Sequence, residues 1–413
     1  MMLKFLHAAD LHIDSPLKGL ERYEGAPVAE VRGATRLALA NVVDLAIAER
    51  VNFVLIAGDL CDGDWKDYGT GLFLNAQFSK LRDHGIPVVT IRGNHDAANH
   101  MVRQLRPPEN VLELSIDSAE SRELKDCNVV VHGRGYRDRA ERGNMAAAYP
   151  PSWSGHYNIG LLHTSATGRD GHEPYAPCTL EDMRSREYDY WALGHVHTRE
   201  ELSAEPWIVF PGNTQGRHIR ETGPKGCMLV TVDSSNRTTA EFRPLDVLRW
   251  ELCHVDLRNA QDADDALEAA STAIRKCLEA RDGRPLAIRV EFVGASACHD
   301  KLAVRQDGLS ADVRDLVRDL SDGTAWVEKV RLRTKPSRTR DGDDGPIGEL
   351  IAYLQELRAD ATLREELGGA LADLVRVLPA ELCETGDFLD VNSADRVAEL
   401  LDDVGPMILE NLG

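Results

Sequence analysis

Short apolar runs alternate with helical patterns in the opening part of the chain, and this order constrains the fold more than any other feature. The runs at 3–9, 51–57 and 86–92 have the length and composition of buried strands. Helical periodicity occupies 29–50 and 69–84 between them. Such a β-α-β-α-β order favours a largely parallel sheet that is covered on both faces. Further apolar runs follow at 127–132, 157–163, 188–193, 207–210 and 227–233, so the chain is predicted to be an α/β protein.

Side chains of the kinds that bind metal ions follow several of these runs. They are Asp10, His12, Asp59, Asn94, His163, His195 and His197. In an open α/β sheet, the loops at the carboxyl ends of the strands converge over one crevice, where ligands bind. A mixture of carboxylate, imidazole and amide donors suits a pair of divalent ions, and such a pair is suited to attack on phosphate esters. The sequence therefore predicts a two-metal site for phosphate ester chemistry.

The spacing of these residues indicates how two ions would share them. Asp59 follows Gly58 at a strand end and is the natural bridging carboxylate, since glycine lets the backbone approach closely. Asp10 and His12 are two residues apart, so in an extended segment they share a face and can bind one ion together. The remaining candidates divide between the ions, with Asn94 and His163 on the second ion and His195 and His197 on one ion each.

The metal-binding part is placed at residues 1–245, and three further segments follow it. Residues 246–335 contain the strand and helix patterns of a small α+β unit, 336–346 are a polar, charge-dense linker, and 347–413 have helical periodicity. The net charge of −20 is concentrated at the end, because eighteen acidic residues face only four arginines from Asp341 onward. The metal-binding part is therefore nearly balanced in charge, and a polyanionic partner is not excluded.

The chain has the features of a cytoplasmic protein that does not contact a membrane. No apolar run reaches the length of a membrane span, and the N-terminus lacks a signal-peptide pattern. The eight cysteines are scattered without a CxxC pair, which is typical of reduced thiols.

The motif series DLH, GD, GNHD, H and GHVH, in this chain order, resembles the calcineurin-like metallophosphoesterase superfamily. The segments HAADLHIDSP and PGNTQGRHIRETGPKG narrow the resemblance to SbcD-type nuclease subunits of DNA double-strand-break repair, and to their YhaO-like relatives. The resemblance covers roughly residues 1–245. It implies a four-layer-type sandwich of two mixed β-sheets flanked by helices, with a capping domain at 246–335 and a helical C-terminal segment.

The resemblance also implies roles for individual residues. One ion would bind Asp10, His12, Asp59 and His197, and the other would bind Asp59, Asn94, His163 and His195. His95 would be the general acid that protonates the leaving group, and Asp62 would either orient His95 or merely form a loop turn. Manganese is the usual activating ion in such families, although the donor set also suits iron or zinc.

These implications lead to the hypothesis of a DNA exonuclease or endonuclease subunit of an SbcCD-like repair complex, in which a metal-activated water attacks the phosphodiester. Its partners would be DNA ends or hairpins, a second copy of the chain, and an SbcC-like coiled-coil ATPase bound through the C-terminal helices. The alternatives are a small-molecule phosphodiesterase, for example one acting on cyclic nucleotides, and a catalytically idle docking subunit. For Arg217 and His218 two interpretations stay open, a contact with substrate phosphate and a salt bridge to an acid such as Glu221.

Overall fold

The computed structural model describes residues 3–15, 28–62, 69–98, 106–166, 175–337 and 346–377, together with five positions between 397 and 404. The first part of the chain contains, in order, β1 (Leu3–Ala8), α1 (Val28–Ala48), β2 (Phe53–Ile56), α2 (Gly69–Asp83), β3 (Val88–Thr90), α3 (Asn94–Ala98), β4 (Val111–Glu113), β5 (Glu120–Leu124), β6 (Val129–Gly133), β7 (Tyr157–His163), α4 (Leu180–Arg184), β8 (Tyr190–Gly194), β9 (Glu200–Ala204), β10 (Trp207–Phe210), β11 (Gly226–Val232) and β12 (Thr238–Pro244). The second part contains β13 (Arg249–Asp256), α5 (Ala263–Glu279), β14 (Leu286–Ser296), α6 (His299–Val304), α7 (Gln306–Ser321), β15 (Ala325–Pro336), α8 (Pro346–Ala359) and α9 (Ala361–Val377).

Two six-stranded mixed sheets form the first part of the structure. The first sheet has the order β12-β11-β1-β2-β3-β4, and the second has the order β5-β6-β7-β8-β10-β9. The strands from β1 to β4 are parallel to one another, whereas β11 is antiparallel to β1. The predicted arrangement of two mixed sheets flanked by helices is confirmed.

The predicted apolar runs lie in strands whose two faces are both largely buried. Phe5 of β1 packs in the core between the two sheets, where its ring stacks on that of Phe53 with centroids 4.9 Å apart. The next residue, Leu6, points to the opposite face and packs against α1 and α2 through residues such as Leu39 and Phe78. This alternation fixes the register of the strand, since a shift by one residue would exchange its two faces.

A buried histidine joins the two sheets directly. His7 of β1 is fully buried, and its Nε2 lies 3.0 Å from the carbonyl oxygen of Leu193 on β8. Its Nδ1 lies 3.0 Å from the hydroxyl oxygen of Tyr190 on the same strand. Because a carbonyl oxygen only accepts, Nε2 carries the proton and Nδ1 accepts from the hydroxyl. The histidine therefore links the strands whose carboxyl ends carry the predicted metal ligands.

A separate three-stranded sheet lies almost entirely within residues 246–335. Its strands β13, β14 and β15 are all parallel, with α5 and α7 packed on one face around residues such as Ile274 and Val313. On the other face, Trp250 and Trp326 pack against Val31 of α1, so this unit contacts the first part of the chain. The sequence patterns predicted these strands and helices but did not specify that all the strands are parallel.

Only part of the predicted C-terminal segment lies within the described residues. The helices α8 and α9 fall in the segment at 347–413 that is predicted to be helical, with α8 beginning one residue before it. Most of the predicted linker and most of the segment after 377 lie outside the described residues. In the part of the chain that the structure covers, no helix is long and apolar enough to cross a membrane.

Candidate metal centre

The carboxyl ends of strands from both sheets meet at one place and carry the predicted ligands. Asp10 and Asp59 follow β1 and β2 of the first sheet, and Asn94 begins α3 just after β3. From the second sheet, β7 ends at His163, and the chain after β8 carries the other two histidines, His195 and His197. Strands of both sheets therefore supply the site, as the crevice rule for α/β sheets predicts.

The backbone at several of these residues has a conformation that non-glycine residues rarely adopt. The φ angles are +52° at Asp10, +44° at His12, +54° at Asp59 and +101° at His195. Such conformations cost free energy and persist only where the surroundings hold them, which is typical of functional sites. Here the His12 and Asp10 amides donate to the carbonyls of Asp59 and Gly58, with N–O distances of 3.0 and 3.1 Å. The His195 amide donates to Asp10 Oδ2 at 3.0 Å.

Two glycines make room for the site. A Cβ on Gly58 would lie 2.6 Å from His163 Nδ1, and φ at Gly58 is +91°. A Cβ on Gly93 would lie 2.2 Å from Asp59 Oδ1. The close approach expected before Asp59 is therefore present, and a second one lies beside the same carboxylate.

His12 and His197 face each other through nitrogens that carry lone pairs. Their Nε2 atoms are 3.0 Å apart. His12 Nδ1 lies 2.7 Å from Asp62 Oδ1, and His197 Nδ1 lies 2.7 Å from Glu221 Oε1. A carboxylate accepts hydrogen bonds, so each Nδ1 carries the proton and each Nε2 is a bare acceptor. Two lone pairs at this distance repel each other unless a cation lies beside both, and carboxylate-backed imidazoles are typical of metal ligands.

A second group of donors surrounds His163. Its Nδ1 donates to the carbonyl oxygen of Ala57 at 2.9 Å, so Nε2 is the nitrogen that faces the other donors. That Nε2 lies 2.9 Å from Asn94 Oδ1 and 3.5 Å from Asp59 Oδ2. Without a cation, the raised pKa of His163 keeps a proton on Nε2, facing the Asp59 carboxylate. When that proton leaves, one nitrogen and two oxygens remain, and this donor set fits a second cation. The ring of His195 lies beside His163, with centroids 5.2 Å apart.

Asp59 lies between the two groups. Its Oδ2 is 3.9 Å from His12 Nε2 and 3.5 Å from His163 Nε2, whereas its Oδ1 accepts the backbone N–H of His95 at 2.9 Å. Asp10 belongs to both groups, because it offers an oxygen within 4.8 Å of donors of His12 and His197 and also within 4.8 Å of donors of Asp59 and His163. Two carboxylates, those of Asp59 and Asp10, therefore face both groups of donors.

Asp62 holds two imidazoles at once. Its Oδ1 lies 2.7 Å from Nδ1 of His12 and 2.7 Å from Nδ1 of His95. These three residues also form a compact donor group, but both contacts have the length of a charge-assisted hydrogen bond. The side chain of His95 is 36% exposed, whereas that of His12 is fully buried. Asp62 thus contacts His95 as an orienting residue would, and the ring of His95 reaches solvent.

At the histidines and Asp10 of the centre, the effect of burial on the pKa is opposed by neighbouring charges and hydrogen bonds. Burial lowers the pKa of His12, although Asp62 and Asp59 oppose this effect. Burial also opposes protonation of His163, but the Asp59 charge and hydrogen bond outweigh it and raise the pKa of His163 to about 9. Burial raises the pKa of Asp10 to about 6 against the opposing charge of His197. Burial would lower the pKa of His95 too, yet its hydrogen bond to Asp62 raises it overall.

Arg217 pairs with acids in this structure, which is the second of the two interpretations. Its Nη2 lies 2.9 Å from Glu221 Oε1, and its Nη1 lies 2.9 Å from Asp62 Oδ2. His218 is different, since its side chain is 53% exposed and its Nε2 is 3.6 Å from the same Glu221 oxygen.

Two acidic residues with structural roles at the centre were not among the predicted site residues. Glu221 is buried and holds His197, although the sequence suggested it only as a salt-bridge partner of Arg217. Asp96 accepts the backbone N–H groups of Gly93 and Leu60 at 3.0 and 2.9 Å, and thereby ties together the loops after β3 and β2. Burial and the nearby Asp59 charge raise the pKa of Asp96 to about 7. The only sequence signal for Asp96 is its place at the end of GNHD.

Two family models match the chain. The model described as calcineurin-like phosphoesterase matches residues 3–199, and the model described as metallophosphoesterase YhaO, middle domain, matches residues 250–335. The second range lies within the predicted capping domain.

Curated relatives agree with both matches. The chain is 38% identical over 298 residues to the "uncharacterized metallophosphoesterase YhaO" of Bacillus subtilis, an alignment that covers 71% of this chain and 72% of the relative. It is 22% identical over 281 residues to the "DNA double-strand break repair protein Mre11" of Methanocaldococcus jannaschii, with coverage of 64% and 72%. Among solved structures, a dimetal phosphatase from Danio rerio aligns with 59% of this chain and 96% of its own, at 13% identity and a TM-score of 0.38.

Proposed function

The chain belongs to the YhaO-type calcineurin-like metallophosphoesterases and is a metal-dependent phosphoesterase, and from this premise we propose that it hydrolyses phosphodiester bonds of DNA. The observation that carries the proposal is the pair of facing Nε2 atoms of His12 and His197, 3.0 Å apart, each backed by a carboxylate. That arrangement suits a divalent cation and not a hydrogen bond. DNA is proposed as the substrate because several relatives are named as DNA double-strand break repair proteins.

The seven predicted ligands would hold two ions. Asp10, His12, Asp59 and His197 are proposed for one, and Asp59, Asn94, His163 and His195 for the other, with Asp59 as the bridge. When bound, the ions would supply Lewis acidity to the phosphate oxygens and lower the pKa of a water molecule. The mixed nitrogen and oxygen donors suit Mn²⁺, which is the ion proposed here, and are compatible with iron or zinc.

His95 is proposed as the general acid. Its Nδ1 is held by Asp62 at 2.7 Å, so its Nε2 is the atom that would pass a proton to the leaving oxygen. The raised pKa of His95, which burial opposes and the Asp62 hydrogen bond produces, keeps more of the imidazole in the protonated form at neutral pH. Asp62 would keep the ring oriented toward the bound phosphate while the proton is transferred.

A nuclease assay distinguishes the proposed DNA hydrolysis from the two alternatives, a small-molecule phosphodiesterase and a docking subunit. Purified protein is incubated with Mn²⁺ and either end-labelled duplex DNA, hairpin DNA or cyclic nucleotides. The His95→Ala variant should cut DNA about 10²- to 10⁴-fold more slowly, which is the usual contribution of a general acid. His84→Ala is the matched control, because His84 is exposed and lies at the amino end of β3, away from the centre.

The three outcomes point to different functions. Mn²⁺-dependent DNA cleavage that is lost in His95→Ala supports the proposal. Rapid hydrolysis of cyclic nucleotides with intact DNA would assign the centre to a small-molecule phosphodiesterase. Bound Mn²⁺ without activity on either substrate would identify a docking subunit.

Protein partners belong to the same proposal. We propose that the C-terminal segment, of which α8 and α9 are described, binds an SbcC-like coiled-coil ATPase, and that the chain forms a homodimer. In the described helices the solvent-exposed Leu37 of α1 and Leu72 of α2 suit the homodimer contact. Sedimentation of the wild type and of a Leu37→Glu variant would test it, since a charge at that contact should shift a dimer to monomers.

A further inference from the structure

The guanidinium group of Arg217 lies between two carboxylates behind the metal centre. Nη1 contacts Asp62 Oδ2 at 2.9 Å, and Nη2 contacts Glu221 Oε1 at 2.9 Å. Nη2 also lies 3.2 Å from His197 Nδ1, which places the guanidinium directly behind that imidazole. The side chain of Arg217 is only 12% exposed. Its guanidinium group is therefore largely buried and paired with protein carboxylates.

The two carboxylates are anchored to different degrees. Glu221 Oε2 also accepts the Nδ2–H of Asn213 at 2.9 Å and the backbone N–H of Arg217 at 2.7 Å. Asp62 is held by Arg217 on Oδ2, and the other hydrogen bonds that it makes to described residues are to the two imidazoles of His12 and His95. If the guanidinium were removed, Glu221 would still be held by its hydrogen bond from Asn213. Asp62 would lose the hydrogen bond that holds its Oδ2.

The loop that carries Arg217 is joined by hydrogen bonds to the chain at the start of β13. Gln215 Nε2 donates to the carbonyl oxygen of Leu248 at 2.8 Å, and Gln215 Oε1 accepts the backbone N–H of Val247 at 2.9 Å. Trp250 Nε1 donates to the carbonyl oxygen of Gly216 at 2.9 Å. Because these contacts flank Arg217 on its N-terminal side, they hold the backbone from which the guanidinium reaches the centre.

We infer that Arg217 is a positioning residue that locks Asp62 to Glu221, and thereby fixes the imidazoles of His12 and His95 relative to His197. The inference rests on the proposed metal site, because the separation of His12 and His197 is useful only if a cation binds between them. The planar guanidinium contacts two carboxylates through two rigidly spaced nitrogens, which the single ammonium of a lysine cannot reproduce. Arg217 would thus set the spacing of the donors and would not contact the phosphate.

Metal binding by the variants tests this role apart from catalysis. Mn²⁺ affinity is measured by calorimetry on the full chain for the wild type, Arg217→Gln and Arg217→Lys. Loss of a group that orients a metal ligand typically lowers metal affinity about 10- to 100-fold, and we expect such a loss in both variants. The lysine variant retains the charge, so it separates the loss of the planar fork from the loss of a buried cation. Circular dichroism checks that each variant is folded.

A double-mutant cycle tests the route through Asp62. If Arg217 acts through Asp62, the double variant Asp62→Asn/Arg217→Gln should bind Mn²⁺ about as weakly as Asp62→Asn alone. Arg220→Gln is the matched control, because Arg220 is an exposed arginine of the same loop. The Arg220→Gln protein should bind Mn²⁺ as tightly as the wild type. The exchange-coupled EPR spectrum of a Mn²⁺ pair should be altered in Arg217→Lys and retained in Arg220→Gln.

The possible contradictions are distinct. If the folded wild type binds no Mn²⁺, the proposed function itself is wrong. A wild type that binds Mn²⁺, together with folded Arg217 variants of equal affinity, would overturn the inference alone. A raised KM with unchanged kcat and unchanged Mn²⁺ affinity would show instead that Arg217 contacts the substrate phosphate.

Discussion

The buried His7 should make the stability of the fold depend on pH in a predictable direction. Burial lowers the pKa of His7 from its ordinary value of 6.5 to about 3, although its hydrogen bond to Leu193 opposes this shift. The folded state therefore binds fewer protons than the unfolded state between these pH values. The contribution of His7 to stability is fully present above pH 6.5 and is lost as the pH falls toward 3.

The size of the effect follows from these two pKa values. The full difference corresponds to roughly 5 kcal/mol at a pH below both values. At pH 5 the same linkage gives a loss of about 2 kcal/mol relative to neutral pH, which is a large fraction of a typical stability.

The perturbation is His7→Gln. A glutamine amide can still donate to the Leu193 carbonyl but does not titrate, so the contribution of this side chain to stability should not change with pH. Urea unfolding is followed by circular dichroism in EDTA at pH 7.5 and at pH 5.0. The wild type should lose about 2 kcal/mol more than His7→Gln on acidification. His84→Gln, which changes an exposed histidine, should behave like the wild type.

One result would refute this reasoning. If the wild type and His7→Gln lose the same free energy of unfolding between the two pH values, His7 is not the buried neutral group described above. Other acid-sensitive groups, such as the carboxylates of the metal centre, are common to both proteins and cancel in the comparison.

Two further predictions concern the residues around Asp59 and His197. Gly93→Ala should weaken Mn²⁺ binding, measured by calorimetry, and destabilise the protein by about 1–3 kcal/mol, because the new Cβ would lie 2.2 Å from Asp59 Oδ1. The control is Gly33→Ala on α1, where a Cβ would lie in open space, and it should change neither Mn²⁺ binding nor stability. Glu221→Gln should lower Mn²⁺ affinity about 10- to 100-fold, because His197 loses the carboxylate behind its Nδ1. Unchanged Mn²⁺ affinity in folded Glu221→Gln would mean that His197 is oriented by its backbone alone.

The sequence identified the central strands but not the edge strands, and the difference has a physical cause. β1, β2 and β7 are largely buried on both faces, so apolar residues predominate in their sequences. β9 (EELSA) and β12 (TTAEFRP) lie at sheet edges and are partly exposed, so they contain no such run. Their strand conformation depends on the backbone partners that β10 and β11 offer, and a local pattern does not contain that information.

The candidate site divides in a similar way. The proposed ligands could be found because each follows an apolar run, and strand ends in one sheet converge by topology. Asp96 and Glu221 escaped prediction because each contacts a group from a distant part of the chain. Asp96 holds the amides of Leu60 and Gly93, and Glu221 holds an imidazole 24 positions away. No spacing rule within one segment records such a contact.

The structure adds what residue types cannot supply, namely which nitrogen of each histidine is available. A histidine in a motif is equally a donor or an acceptor until the partner of its Nδ1 is known. Here Nδ1 of His12, His163 and His197 is occupied by Asp62, by the carbonyl of Ala57 and by Glu221. These partners turn Nε2 of all three imidazoles inward before any cation binds. A centre organised in this way does not have to rotate its imidazoles when it binds metal, which is why the residues behind the ligands should govern metal affinity as much as the ligands' own identity does.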